Sequence, residues 1–132
     1  MSRVQLALNV ADLAEAVRFY TRLFATGPAK VRPGYANFAV ADPPLKLVLL
    51  EDPTLTPGSL NHLGVEVASP EEVAAAQARL ADADLQTTTE DRVSCCYAVQ
   101  DKVWVAGPGG EPWEVYTVLA DAETPAGCRC TT

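Results

Sequence analysis

Two stretches of the chain repeat one pattern of apolar and polar positions, and the repeat limits the fold more than any other feature. Gln5-Leu6-Ala7-Leu8-Asn9-Val10 lines up with His62-Leu63-Gly64-Val65-Glu66-Val67, with apolar residues at the same places. A period of two makes each a strand with one apolar face. A helix start follows each strand. Asp12 and Ser69 are N-cap residues, Pro70 takes the favoured first helical position, and amphipathic runs continue to Phe24 and to Leu80. Three strand-like stretches then follow each helix. They cover residues 29–33, 35–41 and 45–50 in the first half, and 85–89, 93–106 with a turn near Gln100-Asp101, and 112–119 in the second. The chain therefore reads as βαβββ twice, an α+β fold.

Between the halves, residues 51–59 carry Pro53, Pro57 and Gly58, which mark a connector. Each module alone is small and leaves one sheet face uncovered, so the two are expected to pair into one unit. The expected organisation is a single domain over residues 1–119, with module one at 3–51 and module two at 60–119. Residues 120–132 lack periodicity and read as a flexible tail that carries Cys128 and Cys130.

Charge and hydropathy exclude several function classes. With 17 acidic against 10 basic side chains and a net charge of -7, the chain has no electrostatic footprint for phosphate backbones or anionic lipid, so nucleic acid is excluded as a partner. No apolar run reaches the roughly 18 residues of a spanning helix, and the amino terminus enters patterned sequence without a signal peptide. A cytoplasmic location without membrane contact is expected. The four cysteines do not form an extracellular disulfide framework, and a reducing cytosol keeps them as thiols.

Strand parity carries the functional argument. Leu6, Leu8 and Val10 share the face that should cover the helix, which leaves Gln5, Ala7 and Asn9 on the other. The same split groups His62 with Gly64 and Glu66, and Glu114 with Tyr116. The only histidine, one carboxylate and one amide thus come from three strands, on faces whose small residues Ala7 and Gly64 leave room. That is a candidate metal site. Glu114 stands among Trp113, Val115 and Tyr116, where a carboxylate is costly unless paired or metal-bound.

Cys95 and Cys96 add a second signal. Consecutive Cα atoms are about 3.8 Å apart, inside the usual separation for a disulfide, so a bridge between neighbours needs a strained ring. Thiolates are soft ligands, and two on one short stretch suit trivalent arsenic, cadmium or zinc. In a regular strand the two would face opposite ways, so a bend or mobile loop is expected over residues 88–97. Arg92 and Lys102 would raise the thiolate fraction, though both read first as solvated charge. Tyr97 and Trp104 read as walls of the site or as core.

The motifs VQLALNV, FYTRLF, PAKVRPGYANF, PPLKLVLLE, NHLGVEV, SCCYAVQDKVWV and PGGEPWEVY span almost the whole chain. Together they resemble the vicinal oxygen chelate superfamily, in which paired βαβββ modules form a cup-shaped sheet around a divalent metal. Within it they resemble the carbon-arsenic lyases, which are non-haem iron dioxygenases that demethylate trivalent organoarsenicals, and the related cadmium-induced proteins. The resemblance implies Fe(II) held by Gln5, His62 and Glu114, dioxygen as co-substrate, and a trivalent organoarsenical such as methylarsenite held by Cys95 and Cys96. Gln5 stands where the commoner triad has a second histidine, and three protein ligands with open positions also suit zinc, nickel or manganese.

Three functions follow from these residues. The first is an oxygenase that cleaves the carbon-arsenic bond to give arsenite. The second is a cadmium- or arsenic-binding resistance protein that uses the thiols without oxygen. The third is another enzyme of the superfamily, a glyoxalase-like isomerase or thiol transferase, for which the adjacent cysteines are not required. Pairing of modules within one chain makes a monomer feasible, and an edge strand can still join two chains into a homodimer.

Overall fold

The structure is a computed structural model, and it describes residues 2–95 and 97–122. Its elements run β1 (Arg3–Val10), α1 (Leu13–Phe24), β2 (Lys30–Arg32), β3 (Tyr35–Val40), β4 (Leu45–Glu51), β5 (Leu60–Glu66), α2 (Pro70–Asp82), β6 (Thr88–Cys95), β7 (Ala98–Ala106) and β8 (Pro112–Asp121). This is the βαβββ pattern twice over. Two compact units divide the chain, one over Val4–Asn61 and one from His62 onward together with Arg3.

In the first unit the strand order is β2-β3-β4-β1. β1 runs parallel to β4, with Ala7 opposite Val48, and β3 runs antiparallel to β4, with Asn37 opposite Val48. One face of this sheet gathers Val10, Ala36, Phe38, Val40, Leu47 and Leu49, and against it lie Leu13, Ala16, Val17, Tyr20 and Phe24 of α1. Those helix positions recur at intervals of three and four, the stripe that an amphipathic helix turns to a sheet. Asp12 caps α1 by accepting the Glu15 N–H at 3.1 Å, and Ala25 ends it in the left-handed region with φ 54.

The connector is tied back onto β1. The Asn9 N–H donates to the Ser59 carbonyl at 2.8 Å and the Gly58 N–H to the Asn9 carbonyl at 2.7 Å. Gly58 takes a φ of 80, where a side chain would be strained. The Asn9 amide donates to Ser59 Oγ at 3.0 Å and accepts from Asn61 at 2.9 Å.

In the second unit the order is β5-β8-β7-β6. α2 buries Val73, Ala76 and Leu80. The Glu72 N–H donates to Ser69 Oγ at 3.3 Å as well as to the Ser69 carbonyl at 3.1 Å, and the Glu72 carboxylate accepts the Ala68 N–H at 2.7 Å, which closes the helix start.

Two expectations for this half are corrected. No turn interrupts Gln100-Asp101, because β7 runs through both and pairs with β8 along its whole length. The chain reverses instead next to Tyr97, at φ 63. Residues 88–95 are not a loop but a strand paired antiparallel with β7, in which a bulge between Glu90 and Val93 supplies the expected bend. Arg92 sits in that bulge at φ 50, and its N–H donates to Asp101 Oδ1 at 2.7 Å. Asp101 therefore acts as an acceptor for a bulge on the neighbouring strand, which is why a polar pair that resembles a turn lies inside a strand. β8 continues to Asp121, beyond the expected start of the tail at Ala120, and residues 123–132 with Cys128 and Cys130 lie outside the described residues.

No helix among the described residues is long and apolar enough to cross a membrane. Ser69→Ala should lower stability by about 1 kcal/mol through loss of the α2 cap. A urea titration followed by circular dichroism checks this, and an unchanged midpoint would show that the capping bond contributes nothing.

Candidate functional site

β5 and β8 lie parallel with Gly64 opposite Glu114, and β7 lies antiparallel to β8 with Trp104 opposite Glu114 and Lys102 opposite Tyr116. Residues directly opposite share a face, and so do alternate residues along a strand. His62, Lys102, Trp104, Glu114 and Tyr116 therefore come to one face of the second unit. Gly64 adds no side chain on the rung of Glu114, and the carboxylate reaches the histidine two residues back along β5.

The result is a buried charge cluster. His62 Nε2 lies 2.9 Å from Glu114 Oε2, and Lys102 Nζ lies 2.7 Å from Glu114 Oε1. His62, Lys102 and Glu114 are 2%, 1% and 2% exposed. Trp104 stands edge-on to the His62 ring, with centroids 5.5 Å apart and an interplanar angle of 69°. The Lys102 ammonium sits 5.3 Å from the Trp104 ring centroid and 5.8 Å from that of Tyr116, within cation–π range. Trp104 Nε1–H in turn donates to Glu90 Oε1 at 2.8 Å.

Burial by itself would raise the pKa of Glu114. The hydrogen bond to His62, the charge of Lys102 and the bond from its ammonium outweigh that effect and hold the carboxyl at about 2, against an ordinary 4.5. Glu114 is thus ionised in a place where a lone carboxylate would be neutral.

The arrangement suits a divalent metal. Two ligand atoms each about 2.1 Å from one ion and at right angles to each other stand about 3 Å apart. The 2.9 Å between His62 Nε2 and Glu114 Oε2 fits one edge of such a sphere. Lys102 engages the other carboxylate oxygen, as outer partners of metal-binding carboxylates commonly do. Among the described residues no group of three or more His, Cys, Asp and Glu gathers.

Among the residues singled out from sequence, the structure brings His62 and Glu114 into contact. Gln5 lies in the first unit, on β1 in register with Lys46, and is 4% exposed. Cys95 closes β6 in register with Ala98, and Cys96 lies outside the described residues. Tyr97 is buried, and Trp104 does wall the histidine. Arg92 is exposed, as its charge suggested, but Lys102 is not a solvated charge. The sequence reading missed its pairing with Glu114 because a turn assigned at Gln100-Asp101 broke the alternation. An unbroken β7 puts Gln100, Lys102 and Trp104 on one face, which was the available signal.

Because the folded pKa of Glu114 is depressed, its stabilisation is complete above about pH 4.5 and is lost as pH falls toward 2. Unfolding free energy should therefore drop across that window. Glu114→Gln should flatten this part of the profile. Lys102→Met should destabilise the neutral protein by about 3 kcal/mol and start the acid loss at higher pH, since the carboxylate loses a buried partner. Parallel denaturation curves between pH 2 and 7 check both, and superimposable profiles for the wild type and Glu114→Gln would show that the pair is not coupled to folding.

Comparison with known proteins gives a consistent picture. The Glyoxalase/Bleomycin resistance protein/Dioxygenase superfamily matches residues 3–115. The chain is 62% identical over 124 residues to the trivalent organoarsenical cleaving enzyme of Thermomonospora curvata, covering 94% of this chain and 82% of that protein. It is 68% identical over 124 residues to the cadmium-induced protein CadI of Mycobacterium bovis, covering 94% of this chain and 81% of that one. Among solved structures, a variant of homoprotocatechuate 2,3-dioxygenase from Brevibacterium fuscum aligns with a TM-score of 0.64 at 20% identity, over 92% of this chain and 33% of that enzyme. Methylmalonyl-CoA epimerase from Mycobacterium tuberculosis aligns with a TM-score of 0.61 at 16% identity, over 86% and 85% of the two chains. These last two share the fold, two βαβββ modules of the vicinal oxygen chelate type. On the match over residues 3–115 and on these identities, the chain belongs to the Glyoxalase/Bleomycin resistance protein/Dioxygenase superfamily.

Proposed function

We propose that the protein is a cytoplasmic enzyme that cleaves the carbon-arsenic bond of trivalent organoarsenicals such as methylarsenite to give arsenite, with ferrous iron as cofactor and dioxygen as co-substrate. The observation that carries this reading is the buried pair of His62 Nε2 and Glu114 Oε2, 2.9 Å apart and shaped as two adjacent ligands of one ion. Support comes from a relative, 62% identical, that is named a trivalent organoarsenical cleaving enzyme.

In this reading Gln5 joins His62 and Glu114 as the third protein ligand. An imidazole, a carboxylate and an amide oxygen are donors that ferrous iron accepts, and they leave positions open for substrate and oxygen. Iron, when bound, supplies the redox chemistry with dioxygen. The chain's own residues supply position and charge. Lys102 holds Glu114 Oε1, so Oε2, here in contact with His62 Nε2, would be the oxygen given to the ion once that contact opens. The thiols of Cys95 and Cys96 are the soft ligands that hold trivalent arsenic, which orients its carbon substituent for attack. Neither thiol needs to be reduced first in the cytoplasm.

The similarity to a cadmium-induced protein favours one alternative, a thiol protein that binds cadmium or arsenic without cleaving anything. Oxygen separates the two. Protein reconstituted anaerobically with ferrous iron and given methylarsenite and air should consume oxygen and yield arsenite by arsenic speciation. Methylarsenite recovered intact and bound stoichiometrically would reject the lyase and establish the binding protein. His62→Ala should lose iron and turnover together. Cys95→Ser and Cys96→Ser should keep their iron and lose the arsenical, because a hard hydroxyl replaces a soft thiolate. Full activity in an iron-depleted His62→Ala protein would show that the ligand assignment is wrong.

A further inference from the structure

We propose that α1 and the groove beside it are the contact face of a homodimer, in which two copies of the helix pack antiparallel about a twofold axis that passes between Arg18 and Phe19. The proposal does not depend on the metal reading. Leu13, Ala16, Val17, Tyr20 and Phe24 lie against the sheet, yet no residue of α1 is buried. Away from that contact, Phe19 and Leu23 are 57% and 58% exposed, the two most exposed large apolar side chains among the described residues. They stand four apart, so they form one patch on successive turns. A groove of about 490 Å3 runs between α1 and the connector, lined by Ala16, Phe19, Tyr20 and Pro57 together with Glu15 and Arg22. A single exposed leucine is ordinary, whereas adjoining apolar side chains beside a groove mark a surface that associates.

The occupant that fits this face is a second copy, because the face is complementary to itself. Glu15 and Arg22 are both exposed and seven residues apart, about two turns, so they lie on one stripe. A twofold axis midway between them sets Glu15 against Arg22 of the partner subunit at both ends of the contact. The same count sets Leu23 against Ala14 of the partner subunit, where an exposed alanine leaves room. Around the helix Leu23 falls between Phe19 and Ala16, on the groove side. An antiparallel twofold brings groove side to groove side, so each Leu23 enters the other copy's groove, and Phe19, next to the axis, meets its own copy as an aromatic pair. Packed helices lie about 8–10 Å apart, within reach of a glutamate and an arginine. Complementarity of one patch to itself is what a closed dimer requires. Charge points the same way. α1 carries two arginines against one glutamate, a net +1, on a chain of net charge -7, so this helix is a place where an acidic second copy can approach.

The test is sedimentation equilibrium of the whole protein, with a thiol reductant present so that no disulfide joins two copies. Salt of about 0.15 M, which screens charges more than about 8 Å apart, keeps the overall repulsion between acidic chains from masking the contact. The wild type should show a mass twice the 14.0 kDa of one chain and dissociate on dilution. Phe19→Glu and Leu23→Glu should each weaken association roughly tenfold or more, the effect of losing one well-packed anchor. Both side chains are exposed, so circular dichroism and the urea midpoint should not change. Glu15→Arg alone and Arg22→Glu alone each set like charges together at both ends and should weaken association too. Mixed, those two variants should dimerise with each other, because every contact then pairs an arginine with a glutamate. The double change Glu15→Arg with Arg22→Glu should associate as the wild type does. Should a change at Phe19 or Leu23 fail to fold, the charge series decides alone.

A wild type that stays monomeric at millimolar concentration would overturn the proposal. So would a dimer that survives both Phe19→Glu and Leu23→Glu, which would place the contact elsewhere, on an edge strand for instance. A mixture of the two single charge variants that associates no better than either alone would reject the antiparallel arrangement and the proposal with it.

Discussion

One carboxylate organises the second half of this molecule. Glu114 is ionised and buried, with His62 on one oxygen and Lys102 on the other. Moving a lone charge of that size out of water costs several kcal/mol, and removal of either partner leaves the cost uncompensated. The surrounding fold is arranged so that this does not happen. β5 delivers the imidazole, β7 delivers the ammonium, and β8 between them carries the acid, while Trp104 and Tyr116 close over the lysine with ring faces that favour a cation. The protein's own groups thus hold the carboxylate in its charged form.

The two modules share a plan but not its chemistry. With Gln5 matched to His62, Ala7 corresponds to Gly64, and Val48, in register with Ala7, corresponds to Glu114. Across the next strand pair, Tyr35 and Asn37 correspond to Lys102 and Trp104. Where the second module has a charged acid and its counter-charge, the first has a valine and a neutral bond from the Asn37 amide to Tyr35 Oη at 2.8 Å. The repeated backbone therefore carries an acid with its counter-charge in one module and neutral side chains at the matching positions of the other, where the buried charge is Lys46, in register with Gln5. A duplicated scaffold can keep its hydrogen-bond ladders, which the backbone supplies, while the inward side chains diverge.

Most of the fold was legible in the sequence because its signals are local. Asp12 and Ser69 cap the helices the periodicity announces, and the alternation in residues 5–10 separates helix-packed leucines from inward polar residues. The same counting put His62 and Glu114 on inward faces, and the structure brings the two into contact. What failed was the region where polar residues serve purposes other than solvation. Gln100, Asp101 and Lys102 resemble a turn by composition, yet Asp101 completes a neighbouring strand's bulge and Lys102 neutralises a buried acid. Neither role is visible without the cross-strand partner. Three threonines before Glu90 looked irregular for a similar reason: β6 takes its stability from pairing with β7 rather than from an apolar stripe. Glu90 and its bond to Trp104, fourteen residues away, left no local trace at all.

The bulge in β6 acts on phase. Up to Glu90 the strand is paired so that Thr88 faces Trp104 and Glu90 faces Lys102, and continuing that count would bring position 94 across from Ala98. The extra residue between Glu90 and Val93 shifts the count by one, so position 95 stands there instead. Everything upstream is untouched, and every rung downstream is renumbered by one. A strand of this kind works like a reading frame: one residue more or less in the bulge leaves the ladder's hydrogen bonds available but changes which residue stands opposite Ala98. The length of that short kink, more than the identity of its side chains, sets the register of the hairpin's last rungs.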